Sequence, residues 1–288
     1  MTLEYRIQVA EGLTPVELEI GTYVIKNKEQ VADMTIVELA EYTHVSKSSV
    51  HRFCKKLGFE GFNDLKVAAV KDLANQRENQ DIINVNYPFE RSDGPLVIAD
   101  KLANLYKTAI QDTRNYIDPF YIQQIVSLLH RARVIDIYTH GHNLNAAENF
   151  KDKMNTFGRK VNCPTNYYEQ SLTALAAREG HVALILSYSG KATFIEKIAK
   201  KLSSQNIPMI IIGKSGCNKY PEYIQHVLYI SGKEKLRNRI SQFSSHIAMQ
   251  YILDVLFSCI YNKDRTENIA YLKKVIDFMD DRSVADDE

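Results

Sequence analysis

The sequence predicts two domains: an all-α domain on the N-terminal side, and an α/β domain behind it whose parallel five-stranded sheet is flanked by helices. Three observations predict this. Residues 1–75 carry helical periodicity and few strand signals. A stretch rich in Asn, Pro, Gly and charge follows, running from NQRENQD at 75–81 into NVNYPFERSDGP, which is the composition of a linker. From about residue 130, runs that are apolar throughout alternate with helical segments, the pattern of a parallel sheet covered on both faces. At 288 residues the chain is long enough to bury two cores. The expected boundaries are 1–76 for the helical domain, 77–97 for the linker and 98–288 for the α/β domain. The core of the latter lies at about 130–262, and an acidic tail (DDRSVADDE) follows Met279.

In the helical domain, Thr35 precedes an apolar-periodic run and Glu38 lies three residues on, which is a capping box. The helix it opens buries Ile36, Leu39 and Ala40 and ends near Tyr42, and YTHV supplies a turn. Ser46 caps a second helix, in which Val50, Phe53, Cys54 and Leu57 recur at helical spacing and must face the core. Gly58 ends it, where a positive φ costs little without a Cβ. Left on the outer face are Lys47, Ser48, Ser49, His51, Arg52, Lys55 and Lys56.

Two helices joined by such a turn form a helix-turn-helix, whose second helix seats in a DNA major groove. By position, Lys47, Ser48 and Ser49 suit base edges, and Arg52, Lys55 and Lys56 suit phosphates. The net charge of +1 provides no global attraction to nucleic acid, so any affinity must be local. Between Ser46 and Arg77, seven Lys/Arg stand against three acids, which supplies such a patch. An ordinary solvated basic face is the alternative that spacing alone leaves open.

The string IVELAEYTHVSKSSVHRFCKKLGFEGFNDLK resembles the N-terminal domain of the RpiR family of bacterial transcriptional regulators. The likeness rests on the LA turn-in, the V-S-x-x-[TS]-V-x-R-F core and the ending LGF-x-GF-x-x-LK. One departure is His44, which stands where the family usually carries Gly. His tolerates the left-handed region better than most residues, so the turn should survive.

In the second domain, VIADKLANLYKTAIQDTRNYI places Leu102, Leu105, Ala109 and Ile110 on one helix face. Asp118 and Pro119 then open another helix as N-cap and first helical residue. Strands are expected at 134–139, 182–187, 207–212 and 226–230, with a weaker fifth at 160–163. Helices are expected at 144–157, 193–205 and 235–262. The face of the last one (Ile240, Phe243, Ile247, Tyr251, Leu253, Leu256, Phe257) could serve the core, an interface or both.

Two strand-to-helix turns stand out. One has Gly141 and Asn143 between strand and helix; the other has Ser187, Ser189, Gly190 and Thr193. Backbone N–H groups at a helix start favour an anion, hydroxyls add donors, and glycine lets the backbone come close. A phosphate-sized anion at the carboxyl ends of parallel strands is the reading this suggests. Simple helix capping by Ser and Thr is the alternative.

Residues 130–262 resemble the SIS (sugar isomerase) fold, through Gly141, Ala147, Lys153 and Gly158, through S-Y-S-G at 187–190, and through NRISQF at 238–243, which is similar to the family's S-R-I-x-Q-L at the start of a late helix. SIS behind this helix-turn-helix is the RpiR domain order. The resemblance implies phosphosugar binding by Gly141, Asn143, Ser187, Ser189, Gly190 and Thr193. The loops depart from the family pattern. Thr139 replaces a Gly and Asn143 a Ser in G-x-G-x-S, and Ala192 stands where S-x-S-G-x-T has its Thr, with Thr193 one place later. An altered or absent sugar site therefore stays open.

Other signals are weaker. His140 and His142 lie two apart without a third ligand at metal spacing, and neither a metal nor a cofactor is expected. Cys54, Cys163, Cys217 and Cys259 are far apart, which reads as reduced thiols rather than a disulfide framework. No apolar run suggests a membrane span, and the start lacks the pattern of a signal peptide, so a cytoplasmic location is expected. Glu234 and His246 lie where an isomerase could carry a catalytic acid or base, but Glu234 is assigned to the solvated run KEKLRNR, and His246 to packing or hydrogen bonding on the helix at 235–262. The expected partners are operator DNA, a phosphorylated sugar and further copies of the chain, as a homodimer or homotetramer. The rivals are a sugar-phosphate isomerase with an appended helical domain, and a DNA-binding protein whose SIS domain only dimerises.

Overall fold

A computed structural model describes residues 3–10, 12–77 and 83–279. Residues 78–82 of the expected linker and the acidic tail after Met279 lie outside the described residues. The chain divides into two units, residues 1–83 and 84–288.

The first unit is helical: α1 (Leu3–Val9), α2 (Pro15–Lys26), α3 (Lys28–Asp33), α4 (Ile36–Tyr42), α5 (Lys47–Lys56) and α6 (Phe62–Arg77). Its core gathers Leu3, Ile20, Val24, Val31, Leu39, Phe53 and Leu65, all fully buried. Each buried side chain of this size contributes roughly 1.5–3 kcal/mol. Two capping boxes start helices here, Thr14 with Glu17 on α2 and Thr35 with Glu38 on α4. At the base of the unit, Asp72 accepts from the Leu3 N–H at 3.1 Å and pairs with Lys28 at 3.3 Å. That tie joins α1, α3 and α6 through one buried carboxylate.

The second unit opens with residues 84–94, which are not a free linker. They lie against residues 235–243 of the same unit through Asn86, Tyr87 and Phe89. Helices α7 (Pro95–Asn115) and α8 (Pro119–Arg131) follow, and Asp118 caps the latter through the Tyr121 N–H at 2.7 Å. The α/β core then runs β1 (Val134–Tyr138), α9 (Asn143–Asn155), β2 (Val161–Asn162), α10 (Tyr167–Ala176), β3 (His181–Leu186), α11 (Phe194–Ser204), β4 (Met209–Gly213) and β5 (His226–Tyr229). Helices α12 (Ser244–Lys263) and α13 (Arg265–Met279) close the described chain.

All strand pairs are parallel, in the order β2-β1-β3-β4-β5. Alternate residues feed two cores. Ile135, Ile137, Leu184, Ile210 and Ile212 pack with α8, α9 and α12 on one face. Tyr138, Ala183, Ile185, Met209 and Ile211 pack with α10 and α11 on the other. That double burial is why the strands read as apolar throughout rather than alternating.

Two expectations fail here. The late helix does not begin at 235: residues 235–243 are irregular and α12 starts only at Ser244. NRISQF therefore precedes the helix, Ile240 is exposed, and the residues that open the helix are Ser244, Ser245, His246 and Ile247. Glu234 is not solvated either. It is buried, its carboxylate accepts from the Ser245 N–H and hydroxyl at 2.9 Å each, and it pairs with Arg239. A buried carboxylate at a helix start satisfies an orphan N–H and favours the positive end of the dipole, which fixes where the helix begins.

Candidate functional site

The helix-turn-helix of the first unit is built as its spacing requires. Helix α4 ends at Tyr42, and His44 takes φ 52 in the turn, so the left-handed position is filled without glycine. Ser46 caps α5 by accepting from the Ser49 N–H at 3.1 Å. Val50, Phe53, Cys54 and Leu57 are buried, and Gly58 ends the helix at φ 77. Burial pushes the Cys54 thiol up to about 11, as befits an inert core sulfur.

The seven polar residues of α5 do not share one fate. Lys47, Ser48, His51 and Arg52 are exposed. Ser49 is half-buried, 2.9 Å from the Ser46 hydroxyl and accepting from Arg52 at 3.3 Å, which steadies the guanidinium. Lys55 pairs with Glu60 at 2.8 Å on the surface, a contact of small net worth. Lys56 is tied inward, donating to the Gly12 carbonyl and to the Glu17 carboxylate at 2.7 Å each. Burial alone would raise the Glu17 carboxyl, but hydrogen bonds from Lys56 and Thr14 outweigh it and bring it down to about 2. Sequence reasoning missed this role for Lys56, because the partner lies on α2, 39 residues away.

In the second unit the chain leaves β1 for β2 on one side and returns to β3 on the other. The loops after β1 and β3 therefore diverge at adjacent strand ends, with α9 on one face of the sheet and α11 on the opposite face. In open parallel sheets this switch point is where a crevice for ligands forms.

The structure brings the predicted residues of both loops together there. The Thr139 hydroxyl donates to the Leu186 carbonyl at 2.9 Å, and the Asn143 amide reaches the same oxygen at 3.5 Å. Gly141 stands between them at φ 61 with open space around its missing Cβ. Ser187 is buried and its hydroxyl accepts from the Gly190 N–H at 3.2 Å; Ser189 is half-buried and accepts from the Lys191 N–H at 3.4 Å. Thr193 is exposed at the start of α11 and makes no side-chain cap hydrogen bond.

Gly190 is required by more than its φ of 68: a Cβ there would lie 1.6 Å from the Cys217 carbonyl oxygen. The loop after β3 is thus clamped on the loop after β4, and the Lys214 N–H donates to the Tyr188 carbonyl at 2.8 Å. Two cations border the loop, the exposed Lys191 and Lys214, whose ammonium lies 5.5 Å from the Tyr188 ring centre. His140 packs edge-on to Phe194 at 5.5 Å. Among the described residues no cluster of three His, Cys, Asp or Glu could hold a metal.

Comparison with known proteins agrees with this architecture. The model of the rpiR-family helix-turn-helix domain matches residues 1–76, and that of the SIS domain matches residues 128–257. An uncharacterized HTH-type transcriptional regulator of Haemophilus influenzae is 25% identical over 253 residues, covering 87% of this chain and 86% of its own. Another, from Caldanaerobacter subterraneus subsp. tengcongensis, is 26% identical over 281 residues, covering 96% of each.

Among solved structures, the Vibrio vulnificus NanR protein complexed with ManNAc-6P matches with a TM-score of 0.57 at 20% identity, over 96% of this chain and 97% of that one. The sugar isomerase domain of an RpiR transcription factor from Sphaerobacter thermophilus matches with 0.54 at 15% identity, over 62% and 97%. These two likenesses are of fold. With both domain models matched in order along the chain, it belongs to the rpiR family of helix-turn-helix transcriptional regulators and carries an SIS domain behind its helix-turn-helix.

Proposed function

We propose that the chain binds operator DNA through the outer face of α5, and that a phosphorylated sugar in the crevice between the loops after β1 and β3 alters that binding. One observation carries the first half. Lys47, Ser48, His51 and Arg52 stand exposed on a helix whose opposite face is fully buried, the arrangement a recognition helix needs. Lys47, Ser48 and Ser49 at the helix start are assigned to base edges and Arg52 to phosphate. Lys55 contributes less, and Lys56 holds the unit together.

For the sugar, the supporting facts are the clamped Ser187–Gly190 turn, the bordering lysines and the switch-point position. The fold-level relative NanR is complexed with ManNAc-6P, so hexosamine 6-phosphates head the ligand class. Ser189 and Thr193, together with the N–H groups that begin α11, take the phosphate, and Ser187 shapes the turn. The chain acts as a regulator and not as an isomerase. Glu234, whose backbone carbonyl accepts from Tyr188 of this loop, has its carboxylate already committed to Arg239 and Ser245, which leaves it unsuited to proton transfer. It works in the cytoplasm as a homodimer or homotetramer, since paired half-sites need at least two heads.

The test is thermal-shift titration with hexose and hexosamine 6-phosphates. Binding raises the melting temperature by mass action, and Ser189→Ala should abolish the rise while leaving DNA binding intact. A second reading has one observation in its favour: Thr139 and Asn143 both turn back to the Leu186 carbonyl, as they would if the SIS domain only dimerised. Silence across the whole panel would select that reading.

A further inference from the structure

The segment that joins the two units is held by the loop that borders the crevice, through a chain of named contacts. Tyr188 sits between Ser187 and Ser189, and its hydroxyl, in a buried setting, donates to the Glu234 backbone carbonyl at 2.7 Å. Burial pushes the phenol pKa up, with the nearby Glu234 charge adding to the effect, so the group stays a neutral donor. From Glu234 the chain runs as an irregular strap to Phe243, and three contacts keep it in place. The Glu234 carboxylate takes the Ser245 N–H and hydroxyl at the start of α12, and it also takes Arg239 from the middle of the strap.

The outer side of this strap is covered by the first residues of the second unit. The Lys235 N–H donates to the Asn86 side-chain carbonyl at 2.7 Å, and the Ile240 N–H donates to the Asn86 backbone carbonyl at 3.0 Å. The Tyr87 hydroxyl donates to the Asn238 side-chain oxygen at 2.6 Å, and Phe89 packs edge-on to Phe243 with ring centres 6.4 Å apart. Asn238, which accepts from Tyr87, holds φ 63 in the strap. Asn84–Phe89 lead directly back along the chain to the helix-turn-helix unit.

We infer that residues 234–243 are a coupling strap that passes ligand occupancy at the Ser187–Gly190 turn to the connector at Asn84–Phe89, and so to the DNA-binding head. The inference rests on the sensing role proposed above. Its physical basis is that the turn cannot absorb a displacement locally. Gly190 has no room against the Cys217 carbonyl, and the Tyr188 carbonyl is tied to the Lys214 N–H. A phosphate on Ser189 therefore holds the neighbouring Tyr188 in one position, and the phenol passes that constraint to Glu234. Two hydrogen bonds from the strap then meet a single residue, Asn86. Effector and DNA become linked because each favours one seating of the strap.

The residues for the test lie outside both binding sites. The full chain is titrated with a duplex that it selects from a random-sequence pool, with and without a panel of hexosamine 6-phosphates. The variants are Asn86→Ala and Tyr87→Phe, alone and together. In the wild type the sugar phosphate should change DNA affinity by about 5–150-fold, and in the double variant by under about twofold. Affinity for each ligand alone should stay at the wild-type value. A double variant that keeps the full response overturns the strap. A wild-type chain unmoved by every sugar phosphate overturns the sensing role first, and the strap with it.

A second readout needs no ligand and detects the link directly. Tyr188→Phe should speed hydrogen exchange at the Lys235 and Ile240 amides by about tenfold or more, because their opening free energy falls with the lost anchor. Unchanged exchange there means Tyr188 does not hold the strap, and the inference fails.

Discussion

Helix α5 and the turn after β3 both carry serines beside basic residues, yet they hold them in opposite ways. On α5 the polar face stands clear of a core completed by the other side of the helix, so Lys47, Ser48, His51 and Arg52 remain available. In the turn, Ser187 is engaged with the Gly190 N–H and Ser189 with the Lys191 N–H, and from the neighbouring loop after β1 Thr139 and Asn143 turn to the Leu186 carbonyl. A surface that meets a long polyanion needs exposed charge and a firm scaffold. A crevice for one small anion needs its donors fixed in place, and steric clamps such as Gly190 do the fixing. Removing a steric clamp of the turn should therefore cost stability, and removing exposed charge from the outer face of the helix should cost binding.

The largest effect should come from Gly190→Ala. Overpacking costs about 1–3 kcal/mol and the left-handed backbone about 1–2 kcal/mol more, so denaturant unfolding of the second unit should shift by about 2–5 kcal/mol. Gly141→Ala shares a positive φ but meets open space, so about 1–2 kcal/mol of strain is its whole cost. Equal losses at the two glycines would break the contrast.

Next comes Lys56→Ala, which separates scaffold from contact on α5. It leaves the Glu17 carboxylate buried without its cation, at about 1–3 kcal/mol. Because Glu17 sits at about 2 rather than 4.5, the stabilisation is fully present above pH 4.5 and is lost as the pH falls towards 2. The stability gap between wild type and Lys56→Ala should close over that range. A gap that stays constant with pH would show that Glu17 is not the partner that matters. The smallest effect is expected for Lys55→Ala, whose exposed pair with Glu60 should leave the denaturant unfolding midpoint unchanged within error.

Local chemistry was legible in the sequence. The caps at Thr35, Ser46 and Asp118, the stop at Gly58 and all five strands follow from short-range pattern, and the left-handed His44 follows from the family resemblance. What was hidden depended on distant partners. KEKLRNRISQF has helical character, yet it stays irregular because the Glu234 carboxylate reaches Ser245 and Arg239 and starts the helix there. NVNYPF has linker composition, yet Asn86 and Tyr87 fasten it to residues 235–240. Helix α10 gave no distinct signal, its exposed Tyr168, Leu172 and Leu175 blurring its buried face. The inward tie of Lys56 was invisible for the same reason as Glu234: nothing near it in sequence names its partner.

The central claim is that the outer face of α5 engages duplex DNA, and salt-dependent binding measures this most directly. Fluorescence anisotropy with a duplex selected from a random pool should give log-affinity falling linearly with log-salt for the full chain. Arg52→Ala should reduce the magnitude of that slope by about one, because one phosphate contact is lost. A folded Arg52→Ala or Lys47→Ala chain with unchanged affinity and unchanged slope would contradict the account, and place any nucleic-acid contact elsewhere on the molecule.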